Sequence, residues 1–244
     1  MSLFPDQLAA AAKFEEWLLE GNTDIAGLWA SAGFGKSYSA KHLIEEIIIK
    51  NSNYTPVITS MTHSAVDVLK DFIGRDVGTL HSVMGWIPYV DKDTGEEGIS
   101  TPQMRDRNAD PRLKPGTLLV IVEAGLLGHD EVALLKEACV AWDVRILLIG
   151  DNKQCFPVVK EGQKLCVPAY DATQCLLELT VPKRVDETDM IYKLSLQYRA
   201  AVDGERQPKL KTVLNPDGSG KGVRHVDDIE EYAYKAFEAG KRDG

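Results

Sequence analysis

The sequence predicts an α/β fold in which a parallel sheet carries helices on both faces. Short, almost wholly apolar runs alternate with amphipathic segments through most of the 244 residues, which is typical of strands buried on both sides. A glycine-rich turn, Gly33–Gly35, follows the first of these runs and opens an amphipathic segment. Apolar residues make up 44% of the chain, an ordinary share for a globular protein.

Each predicted element rests on its own pattern of apolar residues and stop signals. The predicted strands are Ile25–Ala30, Pro56–Met61, Thr117–Val122 and Val144–Ile149. The predicted helices are Asp6–Glu20, Ser37–Lys50, Thr62–Ile73 and, approximately, Asp130–Ala141. In the third helix, Ala65, Val66, Leu69, Phe72 and Ile73 share the spacing of an inward face, and Gly74 ends it.

Two stretches depart from the alternation. Residues 86–115 are polar and rich in turns, and the runs Trp86–Val90 and Gly98–Thr101 predict a hairpin insertion. Its aromatic residues, Trp86 and Tyr89, would either pack the hairpin or stack on a base. After about Thr180 the character changes again, with helices predicted near Glu187–Val202 and Asp227–Ala239.

Composition excludes several classes of protein. The formal net charge is −9, so any nucleic-acid binding must use a local groove rather than the overall field. No apolar run reaches the ~18 residues of a membrane-spanning helix. Met1–Gln7 lacks the pattern of a secretory signal, and the four cysteines match no compact metal-ligand spacing. We therefore expect a cytoplasmic protein with reduced thiols and no membrane partner.

The strongest local signal is the segment Ala30–Ser37, which follows a predicted strand and opens a predicted helix. This is the context of a P-loop, in which backbone N–H groups cradle phosphate, Lys36 reaches the β- and γ-phosphates, and the Ser37 hydroxyl binds Mg²⁺. Ala30 stands where the usual pattern has glycine. The alternative interpretation is a strand–helix turn that binds no ligand.

A P-loop predicts acidic and polar groups at the carboxyl ends of neighbouring strands. Glu123 follows one such strand and suits a general base for a hydrolytic water. Gln154 follows the next and would sense the γ-phosphate or orient that water. The alternatives are an acidic residue at the start of a helix and an ordinary Gly150–Asp151 turn.

Together these motifs resemble superfamily 1B DNA helicases of the RecD/Dda-like type. The resemblance covers Gln7 to at least Arg184 and rests on ordered matches, since no single match is specific. The matching segments are Phe4–Gln7, Ala30–Ser37, Thr59–Ala65, Gly78–Ser82, Val122–Leu126, Gly150–Gln154 and Leu179–Arg184. The implied fold is a P-loop NTPase of the RecA-like kind.

The resemblance assigns a role to each motif. It implies that Gln7 recognises adenine and that Arg184 contacts the γ-phosphate. The implied nucleotide loop comprises Ser31, Ala32, Gly33, Phe34, Gly35, Lys36 and Ser37, with ATP and Mg²⁺ as cofactors. The implied contacts with single-stranded DNA come from Thr62, His63, Thr79 and His81, although helix capping or surface polarity would equally account for the two histidines.

The sequence departs from the family pattern at its second motif. That motif normally reads Asp-Glu, where the Asp holds Mg²⁺ and the Glu activates water. Val122 occupies the Asp position, with Glu123 as the base. If the motif is instead aligned one residue later, Glu123 becomes the metal partner and Ala124 occupies the base position. Either register lacks one acidic group, so we expect impaired hydrolysis.

The predicted domains are residues 1–180, a RecA-like motor domain, and residues 181–244, the start of a second such domain that is truncated. The predicted function is that of an ATP-dependent helicase stepping along single-stranded DNA, in the cytoplasm of a bacterium or a phage-infected cell. Replication or recombination proteins are the candidate further partners. The alternatives are an ATP-binding and DNA-binding module without turnover, and a small P-loop kinase.

Overall fold

The computed structural model describes residues 3–50, 53–92, 95–154, 157, 166–183, 190–202, 213–214 and 222–223. The chain divides into two compact units, Met1–Arg184 and Val185–Gly244. Among the described residues, no helix combines the length and the apolar character needed to cross a bilayer.

The first unit is built on a six-stranded parallel sheet. Its strands are β1 (Ile25–Trp29), β2 (Thr55–Ser60), β3 (Val77–Thr79), β6 (Thr117–Val122), β7 (Arg145–Gly150) and β8 (Cys175–Glu178). They lie in the order β3-β2-β6-β7-β1-β8, and every neighbouring pair is parallel. The predicted α/β fold with a parallel sheet is thus confirmed.

Helix α1 (Pro5–Glu20) precedes the sheet. The helices between its strands are α2 (Lys36–His42), α3 (His63–Ile73), α4 (Leu80–Met84), α5 (Pro102–Arg105), α6 (His129–Trp142) and α7 (Pro168–Asp171). The helix predicted over Ser37–Lys50 is α2 followed by a π-helical stretch, Leu43–Ile49. A single 3₁₀ turn, Ala124–Leu126, follows β6.

The insertion is an antiparallel hairpin, as predicted. Strand β4 (Ile87–Val90) pairs with β5 (Glu97–Ser100), and Tyr89 lies opposite Gly98. A Cβ on Gly98 would lie 2.7 Å from the Tyr89 ring, so glycine lets the ring cross the partner strand. Trp86 is buried in the core, with its ring centroid 5.8 Å from that of His81. Packing is therefore the role of Trp86.

The second unit contributes helix α8 (Met190–Val202) and an antiparallel pair, β9 (Val213–Leu214) with β10 (Gly222–Val223). The helix predicted near Asp227–Ala239 lies outside the described residues.

The core lies around the central strands. All residues of β1 and β7 are buried, as are the first five of β6. Each apolar side chain removed from water contributes roughly 1.5–3 kcal/mol of hydrophobic stabilisation. The continuous apolar runs in the sequence are the consequence of strands that are covered on both faces.

Truncation of Leu119 to alanine in β6 is expected to lower the free energy of unfolding by about 2–5 kcal/mol, because it leaves a cavity in a close-packed interior. Leu119 is 0% exposed, whereas Leu19 of α1 is 85% exposed and supplies the matched control. Leu19→Ala should change the free energy of unfolding by less than about 0.5 kcal/mol. Urea denaturation of both variants measures the difference, and equal losses would contradict the assigned burial.

Candidate functional site

The predicted site residues follow the carboxyl ends of neighbouring strands. The segment Ser31–Gly35 follows β1, Gln154 lies after β7, and Glu123 comes directly after β6. These strands are adjacent, so their loops meet at one edge of the sheet, where parallel α/β proteins bind ligands.

The loop between β1 and α2 has the backbone of a phosphate cradle. Gly33 and Gly35 have φ values of 85° and 86°, a left-handed conformation that favours glycine. Gly35 caps the N-terminus of α2, and its carbonyl accepts the Ser39 N–H at 3.0 Å. Lys36 Nζ donates to the Ala30 carbonyl at 2.7 Å. This hydrogen bond joins the Lys36 ammonium to the residue at the start of the loop.

A cavity of about 740 Å³ lies over this loop. It brings together nine of the predicted residues: Gln7, Ser31, Ala32, Gly33, Gly35, Lys36, Ser37, Glu123 and Gln154. Phe34 does not line it, since its side chain is buried and its N–H donates to the Ser31 carbonyl at 3.3 Å. Arg184 lies outside the described residues.

Glu123 has a strained backbone. Its φ of 60° and ψ of 36° place a non-glycine residue in the left-handed region, which costs on the order of 1–3 kcal/mol. The side chain is exposed and reaches the cavity. Val122, one residue earlier, is half-buried, and its carbonyl accepts the Ser60 hydroxyl at 3.3 Å. Because Ser60 of β2 pairs with Val122 of β6, the strand register fixes where β6 ends and places Glu123 directly after that end.

Gln7 lines the cavity beside the phosphate loop. Only 2% of it is exposed, and its Oε1 accepts the Phe4 N–H at 3.0 Å. Its Nε2 lies 2.7 Å from the position that a Cβ on Gly35 would occupy. Any side chain at position 35 would therefore displace Gln7 from the phosphate loop.

The cavity also contains four residues that sequence reasoning did not assign to the site: Phe4, Tyr38, Phe72 and Lys183. Phe72 was predicted on the inward face of its helix, and that prediction was wrong. Phe72 is 38% exposed, and Lys41 donates to its carbonyl at 2.9 Å and lies 5.0 Å from its ring centroid. Contact with α2, rather than helical periodicity, sets the position of Phe72.

The predicted DNA contacts lie along the same edge of the sheet, beyond β6. The Thr62 hydroxyl caps α3 by accepting the Ala65 N–H, and the Thr79 hydroxyl caps α4 by accepting the Ser82 N–H, each at 3.3 Å. His63 is the first residue of α3. Two helix N-termini therefore stand side by side after β2 and β3, and such termini attract phosphate.

His81 lies between the hairpin and α6. It lines a cavity of about 520 Å³ with Tyr89 and His129, and its Nε2 is 3.6 Å from Glu131 Oε1. Burial alone would raise the pKa of Glu131, but His81 and nearby backbone N–H groups hold that pKa below its usual range. The pair brings α4, the helix that precedes the hairpin, against the first turn of α6.

A family described as an AAA domain matches residues 2–213. The ATP-dependent DNA helicase dda of Enterobacteria phage T4 is 28% identical over 182 residues, which cover 71% of this chain and 39% of that protein. An uncharacterized protein of Acanthamoeba polyphaga mimivirus, R530, is 22% identical over 166 residues, covering 62% of this chain and 33% of that protein. This chain thus spans well under half of the length of both relatives.

Two solved structures share the fold. Bacteroides Pif1 bound to single-stranded DNA has a TM-score of 0.52 at 20% identity, covering 81% of this chain and 46% of that one. The Pif1 helicase from Candida albicans has a TM-score of 0.54 at 21% identity, covering 81% and 44%. These two structures show that the fold is shared, and the family match together with the dda helicase of phage T4 confirms the resemblance to superfamily 1B helicases that the motifs predict.

Replacing Glu123 with glycine is expected to raise the free energy of unfolding by about 1 kcal/mol, because glycine adopts the left-handed conformation without strain. Glu123→Ala removes the same carboxylate but keeps the strain, so it should not be stabilised. Thermal unfolding of the two variants measures the difference. Equal stability of the glycine and alanine variants would show that the backbone at position 123 is unstrained.

Proposed function

The chain belongs to the AAA domain family, and on that premise we propose that it is the nucleotide-binding motor domain of an ATP-dependent DNA helicase. The observation that carries this proposal is the single cavity that holds the loop residues Lys36 and Ser37, the Glu123 carboxylate, and the Gln154 and Gln7 amides. Phosphate groups fit the loop end of this cavity, and a nucleobase fits the end formed by Gln7 and the aromatic residues.

In the proposed reaction, the backbone N–H groups of the loop and the Lys36 ammonium hold the β- and γ-phosphates in place. A water oxygen attacks the γ-phosphorus, the bond to the β-phosphate oxygen breaks, and ADP and phosphate are released. Glu123 accepts the proton of the attacking water, and Gln154 orients that water. Arg184 would add a positive charge at the γ-phosphate.

The residues at the cavity fit a magnesium ion in part. The Ser37 hydroxyl is exposed there together with the Glu123 carboxylate, and Mg²⁺ is commonly held by one or two protein oxygens plus nucleotide phosphates. Among the residues that the structure describes, no cluster of three or more acidic, histidine or cysteine side chains forms a dedicated metal site. Bound there, the ion would offset the negative charge of the phosphates.

DNA would bind along the neighbouring strand ends. The capped N-termini of α3 and α4, with Thr62, His63 and Thr79, suit contacts with the sugar-phosphate backbone, which carry no sequence information. His81, beside the hairpin, suits stacking or polar contact with an unpaired base. Such a local surface suits a chain whose net charge is −9.

Val122 favours a second candidate function, an ATP-binding and DNA-binding module without turnover. The position that would carry an aspartate for the metal holds an apolar side chain at the end of β6. The two candidates agree on nucleotide and DNA binding and differ in turnover.

Lys36→Ala is expected to weaken ATP binding and to lower any turnover by on the order of 10²-fold, because the variant removes the charge that stabilises the transferring phosphate. The measurements are the Kd for ATP, by calorimetry on the full chain, and phosphate release with and without single-stranded DNA. Lys50→Ala, on the exposed surface, is the control. If both variants bind ATP as tightly as the parent, the proposed nucleotide site is wrong.

Val122→Asp is expected to raise DNA-stimulated ATP turnover roughly tenfold or more, since it supplies the acidic group that this motif lacks, and each tenfold corresponds to about 1.4 kcal/mol of barrier. Asparagine has nearly the shape of aspartate but no charge, so Val122→Asn serves as the control. Unchanged turnover in Val122→Asp would mean that Val122 does not limit hydrolysis. DNA-stimulated turnover in the parent supports the motor, and ATP binding without turnover supports the module.

A further inference from the structure

The Asp6 carboxylate gathers three donors from the segment that leaves β8. Its Oδ2 accepts the N–H groups of Thr180 and Val181 at 3.3 and 3.2 Å, and its Oδ1 lies 3.1 Å from Lys183 Nζ. Asp6 is in the first turn of α1, directly before Gln7. The start of the helix that carries Gln7 is therefore bound to the segment that follows β8, from which Lys183 also lines the cavity.

Both the backbone and the side chain of Lys183 are held by contacts. Its N–H donates to the Gly33 carbonyl at 2.8 Å, which joins the segment to the phosphate loop. Its Nζ lies 3.9 Å from the centroid of the Phe4 ring as well as against Asp6. An ammonium over an aromatic face is attracted by the ring's electron density, more strongly where water is excluded.

This ion pair is almost shielded from water. The side chains of Lys183 and Asp6 are 11% and 10% exposed, whereas the surface pair of Lys50 and Glu46 is 60% and 46% exposed. Burial alone would raise the pKa of Asp6, but the hydrogen bonds from Lys183 and Val181 hold that pKa below its usual range. A buried pair with satisfied hydrogen bonds fixes one geometry, even where it adds little to overall stability.

That geometry bears on the base end of the cavity. The Phe4 N–H orients the Gln7 amide, and the Phe4 ring lines the cavity while 53% of the residue stays exposed. The ring is available to stack on a base, and the amide to read its edge. Adenine presents a ring nitrogen acceptor beside an amino donor, whereas guanine presents two acceptors there, so a fixed glutamine amide distinguishes them.

We propose that Asp6, Lys183 and Phe4 form a brace that positions the base-reading end of the nucleotide cavity, and that Lys183 is the positioning residue which makes affinity depend on the base. The inference rests on the proposed nucleotide site and deepens it. The phosphate end does not need the brace, because the bond from Lys183 to Gly33 uses the backbone, and the Lys36 ammonium is held by Ala30.

The brace is tested with three probes on the full chain: ATP, GTP and inorganic tripolyphosphate. Lys183→Met should weaken ATP binding roughly tenfold and reduce the preference for ATP over GTP, because Phe4 and Gln7 lose their fixed position. The Kd for tripolyphosphate, which has no base, should stay within about twofold of the parent value. Lys50→Met removes a lysine from an exposed pair and should leave all three constants unchanged.

Further variants separate positioning from a general effect on folding. Lys183→Arg keeps the charge and should restore part of the ATP preference. Asp6→Asn should have the effect of Lys183→Met, and the double variant should lose little more than either single one, because the two residues act together. Thermal unfolding of each variant confirms that it is folded. If Lys183→Met does not fold, Lys183→Arg and Asp6→Asn carry the same comparison.

The outcomes distinguish the brace from the nucleotide site on which it rests. If the parent chain binds neither ATP nor tripolyphosphate, the proposed site fails. If the parent binds both and Lys36→Ala weakens both, the site stands. The brace is overturned if Lys183→Met and Asp6→Asn then weaken ATP and tripolyphosphate equally, or leave the preference for ATP over GTP unchanged.

Discussion

The structure depends on three adjacent parallel strands, β6, β7 and β1, whose residues are almost all buried. Their backbone groups are used in the sheet and their side chains in the core, so chemistry is confined to the points where the strands end. Glycine brings those ends close together. A Cβ on Gly150, the last residue of β7, would lie 2.6 Å from the Trp29 ring and 3.0 Å from the Gly125 nitrogen. The absence of a side chain at Gly150 lets the loop after β6 approach the phosphate loop.

Burial explains which elements were predictable. Of the four central strands, β1, β6 and β7 are almost continuous apolar runs, and the predicted bounds of all four lie within one residue of those observed. Strands β3 and β8 were missed, because each has only three or four residues and lies at an edge of the sheet. Short edge segments carry little apolar pattern of their own and become strands through their partners, here β2 and β1.

The candidate site was predictable where a motif encodes a backbone conformation or a charge, as in the phosphate loop. It was not predictable where a contact between residues far apart in sequence determines which side chains line the cavity. Lys183 is adjacent to the arginine that the motif pointed to, but its own partners are Asp6 and Phe4, some 180 residues away in sequence. Phe72 has the spacing of a core residue and instead lines the cavity. The left-handed backbone of Glu123 is likewise set by its surroundings, since glutamate does not favour it.

That strain bears on the choice between a motor and a binding module. Binding the phosphates needs the loop amides and Lys36, and a glycine at position 123 would adopt the observed backbone without cost. A glutamate held there, with a strain of about 1–3 kcal/mol, does not help to bind phosphate directly, because its charge repels phosphate. A carboxylate in that position is useful when it accepts a proton from water at the γ-phosphate or when it helps to hold Mg²⁺. The cost of placing Glu123 is therefore better explained by a role beside the bound nucleotide, as the proposed general base or as a metal partner, than by phosphate binding alone.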